Sequence, residues 1–294
     1  MKKLITIVGP TASGKTSLAI LLARKYNGEI ISADSRQVYR GMDIGTGKAS
    51  KKEQKKAKHW LLDVVSPNTD FNVFKFKKKA QKAIKDILRR KKIPIVCGGT
   101  GFWIDALVYG KNFPEIKPDK KLRKELDKKS ASELHALLKK LDKRRADNID
   151  KNNKVRLIRA IEIAKKIGHV PLVKKQAKYD LLQLGVKISK EDLHKNIEKR
   201  LKKRLKEGML KEIQDLHRNK KVSWSRLENF GLEYFWVSKF LRGAIFKEEM
   251  KKNLAFDIKK YAKRQMTWFK KDKRIKWISN FREADKCLKK FLKN

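Results

Sequence analysis

Residues 9–16 read GPTASGKT, directly after the apolar run LITIV at residues 4–8. Glycine, four residues, glycine, lysine and threonine make a phosphate-binding loop. Successive backbone N–H groups of such a loop form a nest for phosphate oxygens, and the following helix adds its dipole. Lys15 adds a full charge, and the Thr16 hydroxyl is of the type that ligates Mg2+. Gly9, Pro10, Thr11, Ala12, Ser13, Gly14, Lys15 and Thr16 are therefore the candidate phosphate-binding residues, with Thr16 the candidate metal ligand. The context supports the motif: LITIV reads as a buried parallel strand, and Leu18, Leu21, Leu22 and Tyr26 fall on one face of a helix.

The same pattern recurs downstream. EIISADS carries a second strand that ends in polar residues, 73–92 is a lysine-rich amphipathic helix, and IPIVC runs into GGTG and the helical FWIDALVYG. Strand, glycine turn and helix in repetition predict an α/β fold, a doubly wound parallel sheet of P-loop type. From Pro114 the sequence is almost all helix formers, and VRLIRAIEIAKKIG is an amphipathic helix stopped by Gly168. YDLLQLGVKI (179–188) returns to strand character, after which the chain reads as helical to its end. The expected organisation is a first core part at 1–113, a mainly helical insertion at 114–175, and a core continuation with C-terminal helices at 176–294.

Composition narrows the function classes. With 78 Lys and Arg against 32 Asp and Glu, the formal net charge of +46 favours a polyanionic partner. Lysines are spread over the whole chain, so part of that excess serves only to solvate surface. No apolar run of about 18 residues offers a membrane span. MKK passes straight into LITIV, which reads as the start of a strand and not as a secretory signal. Two cysteines, Cys97 and Cys287, build no disulfide framework, and five scattered histidines have no zinc-ligand spacing. A reduced, cytoplasmic compartment fits.

Asp34 lies at the carboxyl end of the second predicted strand, the edge where open α/β sheets bind ligands. Its carboxylate suits a water-mediated Mg2+ contact, general-base catalysis or a loop cap, and residue type alone leaves all three open. GGTG at 98–101 brings a second glycine turn to that edge.

Taken together, these blocks resemble the tRNA dimethylallyltransferases, or tRNA isopentenyltransferases. The resemblance rests on GPTASGKT, ISADSRQVYRGMDIGTGK (31–48), HWLLDVV (59–65), GGTGFWIDAL (98–107), RLIRAIEI (156–163), IEKRLKKRLKEGMLKEIQDL (197–216) and YAKRQMTWF (261–269), in the family's order over nearly all the chain. ADS-x-Q-V-Y followed by IGT-x-K is the more specific part, because ordinary P-loop kinases lack it. The resemblance implies that the loop holds the pyrophosphate of dimethylallyl diphosphate, with Mg2+, and that the prenyl group passes to N6 of the adenosine 3′ of the anticodon, position 37. It implies catalytic roles for Asp34, Thr16 and Arg200. It also implies tRNA contacts at Asp34, Ser35, Arg36, Gln37, Thr100, Arg123 and the stretch Val155, Arg156, Leu157, Ile158 and Arg159, with the helical insertion gripping the anticodon stem-loop. A monomer is expected on the same ground. One departure stands out: members commonly carry G-Y-x-[EQ] in the C-terminal region, whereas in FGLEY (230–234) the tyrosine stands three residues after the glycine instead of directly after it. Two rival readings are a small-molecule P-loop kinase, which the ADSRQVY and IGTGK blocks disfavour, and a non-enzymatic RNA-binding protein, for which a phosphate loop would be without purpose.

Overall fold

The computed structural model describes residues 2–110, 114, 116–172 and 178–293. It divides into two compact units, Met1–Gly110 with Ala177–Asn294, and Lys111–Gln176. The sequence-derived boundaries at residues 113, 175 and 176 fall outside the described residues.

The first unit opens with β1 (Lys3–Val8), α1 (Lys15–Lys25) and β2 (Gly28–Ser32). It continues with α2 (Lys51–Lys56), β3 (His59–Trp60), α3 (Val73–Arg89), β4 (Ile93–Gly98) and α4 (Gly101–Val108). Among the described residues a six-stranded sheet forms in the order β3-β2-β4-β1-β5-β6, where β5 is Asp180–Val186 and β6 is Lys276–Ile278. Every described pairing is parallel. Side chains alternate along each strand. Leu4 and Val8 face one core with Ile31 and Val96, whereas Ile5 and Ile7 face another with Ile30, Ile95 and Cys97. Helix α1 and the last helix, α14 (Phe281–Lys293), cover the second face. The first face is covered by α3, α4 and the run α9 (Lys190–Lys206), α10 (Met209–Arg218), α11 (Trp224–Phe230), α12 (Leu232–Leu241) and α13 (Lys247–Phe269). Helices on both faces of a parallel sheet are the predicted architecture.

The C-terminal region corrects the expectation of helix to the end. KWI forms β6, an edge strand paired in register with Leu184, Gly185 and Val186. Three residues between two helices are too short for a period-2 signal, and it is pairing to β5 that makes them a strand.

The second unit contains α5 (Lys120–Asp127), α6 (Ala131–Leu141), α7 (Lys143–Asp147) and α8 (Lys154–Ile167). Its own apolar core includes Leu126, Leu134, Leu138, Leu157 and Ile161. Asp119, Ser130, Asp142 and Asn153 cap the four helices through side-chain oxygens, which satisfies N–H groups that a helix start leaves unpaired.

Opposite the carboxyl edge of the sheet, Glu29 of β2 is 2% exposed. It accepts hydrogen bonds from Arg90 Nη2 and Trp60 Nε1, both at 2.8 Å, and from Lys92 Nζ at 3.0 Å. The Arg90 hydrogen bond outweighs the opposing effect of burial and holds the carboxyl down at about 2. Because the folded value lies below the ordinary 4.5, this stabilisation is fully present above pH 4.5 and is lost as the pH falls toward 2. Glu29→Gln should therefore unfold more easily than wild type at pH 7, and the gap between their thermal midpoints should close on acidification through that window.

Candidate active site

Strand β1 ends at Val8, and the loop that follows turns back on itself through Ala12 at φ 63° and Gly14 at φ 84°. Both lie in the left-handed region. Glycine adopts it without strain, and Gly14 is the residue from which α1 starts. Left-handed residues alternating with right-handed ones turn consecutive N–H groups to one side, which makes an anion nest. Helix α1 has no acidic residue in its first turn, and Arg24 and Lys25 lie in its last turn. The positive end of its dipole at the nest is thus left for a ligand.

Two cations converge on this nest. The Lys15 ammonium donates to Pro10 O at 3.0 Å. Arg200, from α9, makes only long contacts, Nη1 to Thr11 Oγ1 at 3.5 Å and Nη2 to Gly47 O at 3.4 Å. Neither side chain forms an ion pair among the described residues. Burial pulls the Lys15 pKa below its usual value; Arg200 and Arg204 act in the same direction, while Cys97 and Asp34 oppose them. Burial likewise pulls Arg200 down to about 10, with help from Arg204. Two partly desolvated cations without a carboxylate of their own mark a place for an anionic ligand. Beside them lies a cavity of about 780 Å³ whose lining includes Gly14, Lys15, Thr16, Lys48, Arg200 and Arg204.

Asp34 follows β2. Its Oδ1 accepts from the N–H of Arg36 at 2.8 Å and of Gln37 at 3.4 Å, so the carboxylate does cap its own turn. Its Oδ2 has no hydrogen bond among the described residues. Ser35 N–H donates to Thr100 Oγ1 at 3.2 Å, and Thr100 N–H to Ala33 O at 3.3 Å, which joins the Asp34 turn to GGTG. A Cβ on Gly98 would lie 2.2 Å from Ala33 O, so that approach requires glycine. Arg36 Nε donates to Phe230 O at 2.8 Å with its guanidinium over the Phe230 ring, and Gln37 bonds Ser32 Oγ and Gly47 O. The fold thus gathers the phosphate loop, Asp34, Ser35, Arg36, Gln37, Thr100 and Arg200 in the first unit.

The remaining sequence-predicted residues lie in the second unit. Arg123 makes a two-pronged bond to Glu162, Nε to Oε1 at 2.7 Å and Nη2 to Oε2 at 2.6 Å. Arg159 also reaches Glu162, at 3.2 Å, and donates to Ile116 O. Burial works to raise the Glu162 pKa, but Arg123, the Asp119 N–H and Arg159 together bring it below the usual range. Leu157 and Ile158 are packed in the helical core, whereas Val155 and Arg156 are exposed.

Residues that the sequence did not single out complete the site. Gln265, 6% exposed, accepts from Thr11 N–H at 2.8 Å and donates to Gly99 O at 2.9 Å. One side chain from α13 thereby clasps the two glycine turns together. One helical turn earlier lies Tyr261, whose hydroxyl is pushed up to about 12 by burial and then by the Asp34 charge. Both lie in the YAKRQMTWF block; their period on α13 is visible in sequence, but their partners are not. Trp103 stacks on Phe76 at 4.6 Å and belongs to the core, while Phe102 packs edge-on to Trp268. The Cys97 thiol is buried and raised to about 11 by that burial, as befits a packing role.

Gln265→Leu would leave Thr11 N–H and Gly99 O unpaired, at a cost of about 1–3 kcal/mol each. We expect a lower thermal midpoint together with weaker binding of inorganic pyrophosphate by calorimetry. Unchanged pyrophosphate affinity would show that the clasp does not shape the nest.

Known proteins are similar to this chain over most of its length. The IPP transferase family profile matches residues 37–272. The tRNA dimethylallyltransferase of Acetivibrio thermocellus is 39% identical across 98% of this chain and 96% of its own. That of Staphylococcus epidermidis is 40% identical across 95% and 87%. The crystal structure of a tRNA delta(2)-isopentenylpyrophosphate transferase from Staphylococcus epidermidis superposes with a TM-score of 0.74 at 36% identity, covering all of both chains. A eukaryotic dimethylallyltransferase acting on tRNA gives 0.79 at 30% identity over 91% of this chain and 70% of that one. By its sequence and by its parallel α/β core, the chain belongs to the IPP transferase family, the tRNA dimethylallyltransferases.

Proposed function

We propose that this chain transfers the dimethylallyl group of dimethylallyl diphosphate to N6 of the adenosine at tRNA position 37, 3′ of the anticodon, and releases pyrophosphate. Family membership supports the reaction. The observation that carries the donor's placement is the pair of partly desolvated cations, Lys15 and Arg200, at the main-chain nest, neither of them ion-paired among the described residues.

The nest N–H groups, Lys15 and Arg200 hold the diphosphate. Their charge stabilises the leaving group as the allylic C–O bond breaks, where it is worth most in a partly dry site. The Thr16 hydroxyl is a hard oxygen donor suited to Mg2+. Among the described residues no cluster of three or more His, Cys, Asp or Glu could hold a metal unaided. An ion here would depend on phosphate oxygens and water for the rest of its shell, as Mg2+ commonly does. When bound, it would offset negative charge on the diphosphate.

Adenine's N6 is a weak nucleophile because its lone pair is delocalised into the ring. Asp34 Oδ2, with Oδ1 fixed by its own turn, takes an N6 proton as the new C–N bond forms. The C–O electron pair leaves on pyrophosphate. Adenine reaches this edge only out of its stack, a small cost in an anticodon loop whose bases are already partly unpaired. Ser35, Arg36 and Gln37 are the groups beside Asp34 that present donors and acceptors to the base and its neighbours. The helical unit would contribute phosphate contacts chiefly through Arg156 and its exposed lysines. Arg123, Val155 and Arg159 lie on the same unit, while Leu157 and Ile158 shape the helix from beneath. A monomeric, cytoplasmic enzyme fits this reading, and among the described residues no helix is long and apolar enough to cross a membrane.

Unmodified tRNA incubated with dimethylallyl diphosphate and Mg2+ should yield N6-dimethylallyladenosine on nucleoside analysis. Transfer of labelled γ-phosphate from ATP to a metabolite, with anticodon-loop adenines untouched, would sink the proposal. Asp34→Asn should slow transfer by roughly 100-fold or more, with donor binding retained. Thr16→Ala should weaken donor binding in the presence of Mg2+, read by calorimetry.

A further inference from the structure

The loop Asp43–Lys48, the IGTGK block with the residue before it, walls the cavity beside the phosphate nest through Asp43, Ile44, Gly47 and Lys48. Its shape is imposed from outside. The carboxylate of Glu212, on α10, accepts three consecutive main-chain N–H groups: Asp43 at 2.8 Å and Ile44 at 2.6 Å on Oε2, and Gly45 at 3.0 Å on Oε1. Tyr234 Oη donates a fourth bond, to Oε1 at 2.9 Å. A loop with successive N–H groups turned to one side is a nest. Here the anion that fills it is the protein's own.

Once the N–H groups face α10, carbonyl oxygens of the loop are presented to α9. Arg204 Nη1 donates to Gly45 O at 3.0 Å and to Glu233 Oε1 at 2.7 Å. Arg200 Nη2 reaches Gly47 O at 3.4 Å, and Gln37 Nε2 donates to the same oxygen at 3.3 Å. The loop therefore carries Glu212 on one side and the heads of both active-site arginines on the other. Lys48 pins its far end, donating to Tyr39 O at 2.9 Å and to Asp63 at 2.5 Å, and pairing with Asp43.

We propose that Glu212 is a positioning residue for the donor diphosphate: by filling the main-chain nest at residues 43–45, it sets the carbonyls that orient Arg200 and Arg204 toward the phosphate site. Tyr234 holds the carboxylate in that pose. This gives the displaced tyrosine of FGLEY a role in shaping the donor side: it is 2% exposed, and burial followed by the Glu212 charge raises its pKa well above the ordinary value. Glu233 of the same segment neutralises Arg204, so that Arg200 is the guanidinium left for a ligand. The inference rests on the proposed donor site and extends it to residues that touch no substrate.

The test compares wild type with Glu212→Gln, Glu212→Ala and Tyr234→Phe. Inorganic pyrophosphate is titrated by calorimetry, and KM is measured separately for dimethylallyl diphosphate and tRNA. E212Q keeps an acceptor oxygen but turns an amide toward an N–H donor. It should weaken pyrophosphate binding and raise donor KM roughly tenfold, on the scale of hydrogen bonds to a charged group. E212A should do at least as much and Y234F less, with tRNA KM held within twofold in all three. Amide hydrogen exchange across residues 42–48 should quicken in the same order. KM does not depend on the folded fraction, so a merely destabilised variant is recognised by a lower thermal midpoint with unaltered donor KM. That result in E212Q, or pyrophosphate affinity within twofold of wild type, overturns the proposal. If wild type itself fails to bind pyrophosphate, it is the donor site that is wrong, and the positioning role falls with it.

Discussion

Positive charge held partly out of water, beside a main-chain nest and not ion-paired among the described residues, is the constraint around which the core is arranged. Lys15 and Arg200 are both drawn toward their neutral forms by burial, the Arg200 charge adding to the cost at Lys15 and the Arg204 charge to that at Arg200. A folded protein tolerates such an arrangement when a ligand supplies the missing negative charge, and affinity then comes from relieving a cost already met in folding. Elsewhere the chain satisfies its buried charges internally. Glu29 takes three donors, Glu162 is held by Arg123 and Arg159, and Arg204 by Glu233. Set against these, the cations at the nest stand apart.

Keeping that arrangement in register falls to the helices that follow β5. Gln265, on α13, ties the phosphate loop to GGTG. Helix α9 delivers Arg200 and Arg204, and α10 delivers Glu212. The parallel sheet supplies the edge at which its strands end, while later helices hold the phosphate loop, the GGTG turn and the Asp43–Lys48 loop in place along it.

How much of this was readable in advance depends on the range of the interaction. GPTASGKT, LITIV and IPIVC are local patterns with local causes, and the α/β core they predict is the one observed. Asp34 could be placed at the carboxyl edge because it directly follows a strand. Gln265 and Glu212 could not be assigned, since a glutamine and a glutamate on amphipathic helices look like any solvated pair until their partners at Thr11 and Asp43–Gly45 are known. The three-residue β6 was missed for the same reason: its strand character is conferred by β5. In VRLIR the helical period itself divides the stretch, turning Leu157 and Ile158 inward and leaving Val155 and Arg156 outside.

The net charge of +46 invites the inference that every arginine of the helical unit serves RNA. The geometry argues for a more selective account. Arg123 and Arg159 are committed to a buried carboxylate that also accepts the N–H of Asp119, the residue capping α5. Removing either guanidinium would leave Glu162 under-compensated and loosen the junction of α5 and α8 before it altered any phosphate contact. A weakened affinity for RNA after such a change would report on folding of the helical unit as much as on binding. Residues whose charge is not engaged among the described residues, Arg156 foremost among them, are the ones whose loss should lower the salt dependence of association without cost to the core. Charge counted from sequence therefore overstates the footprint on a polyanion, and subtracting the cations already spent on the protein's own carboxylates gives the better measure.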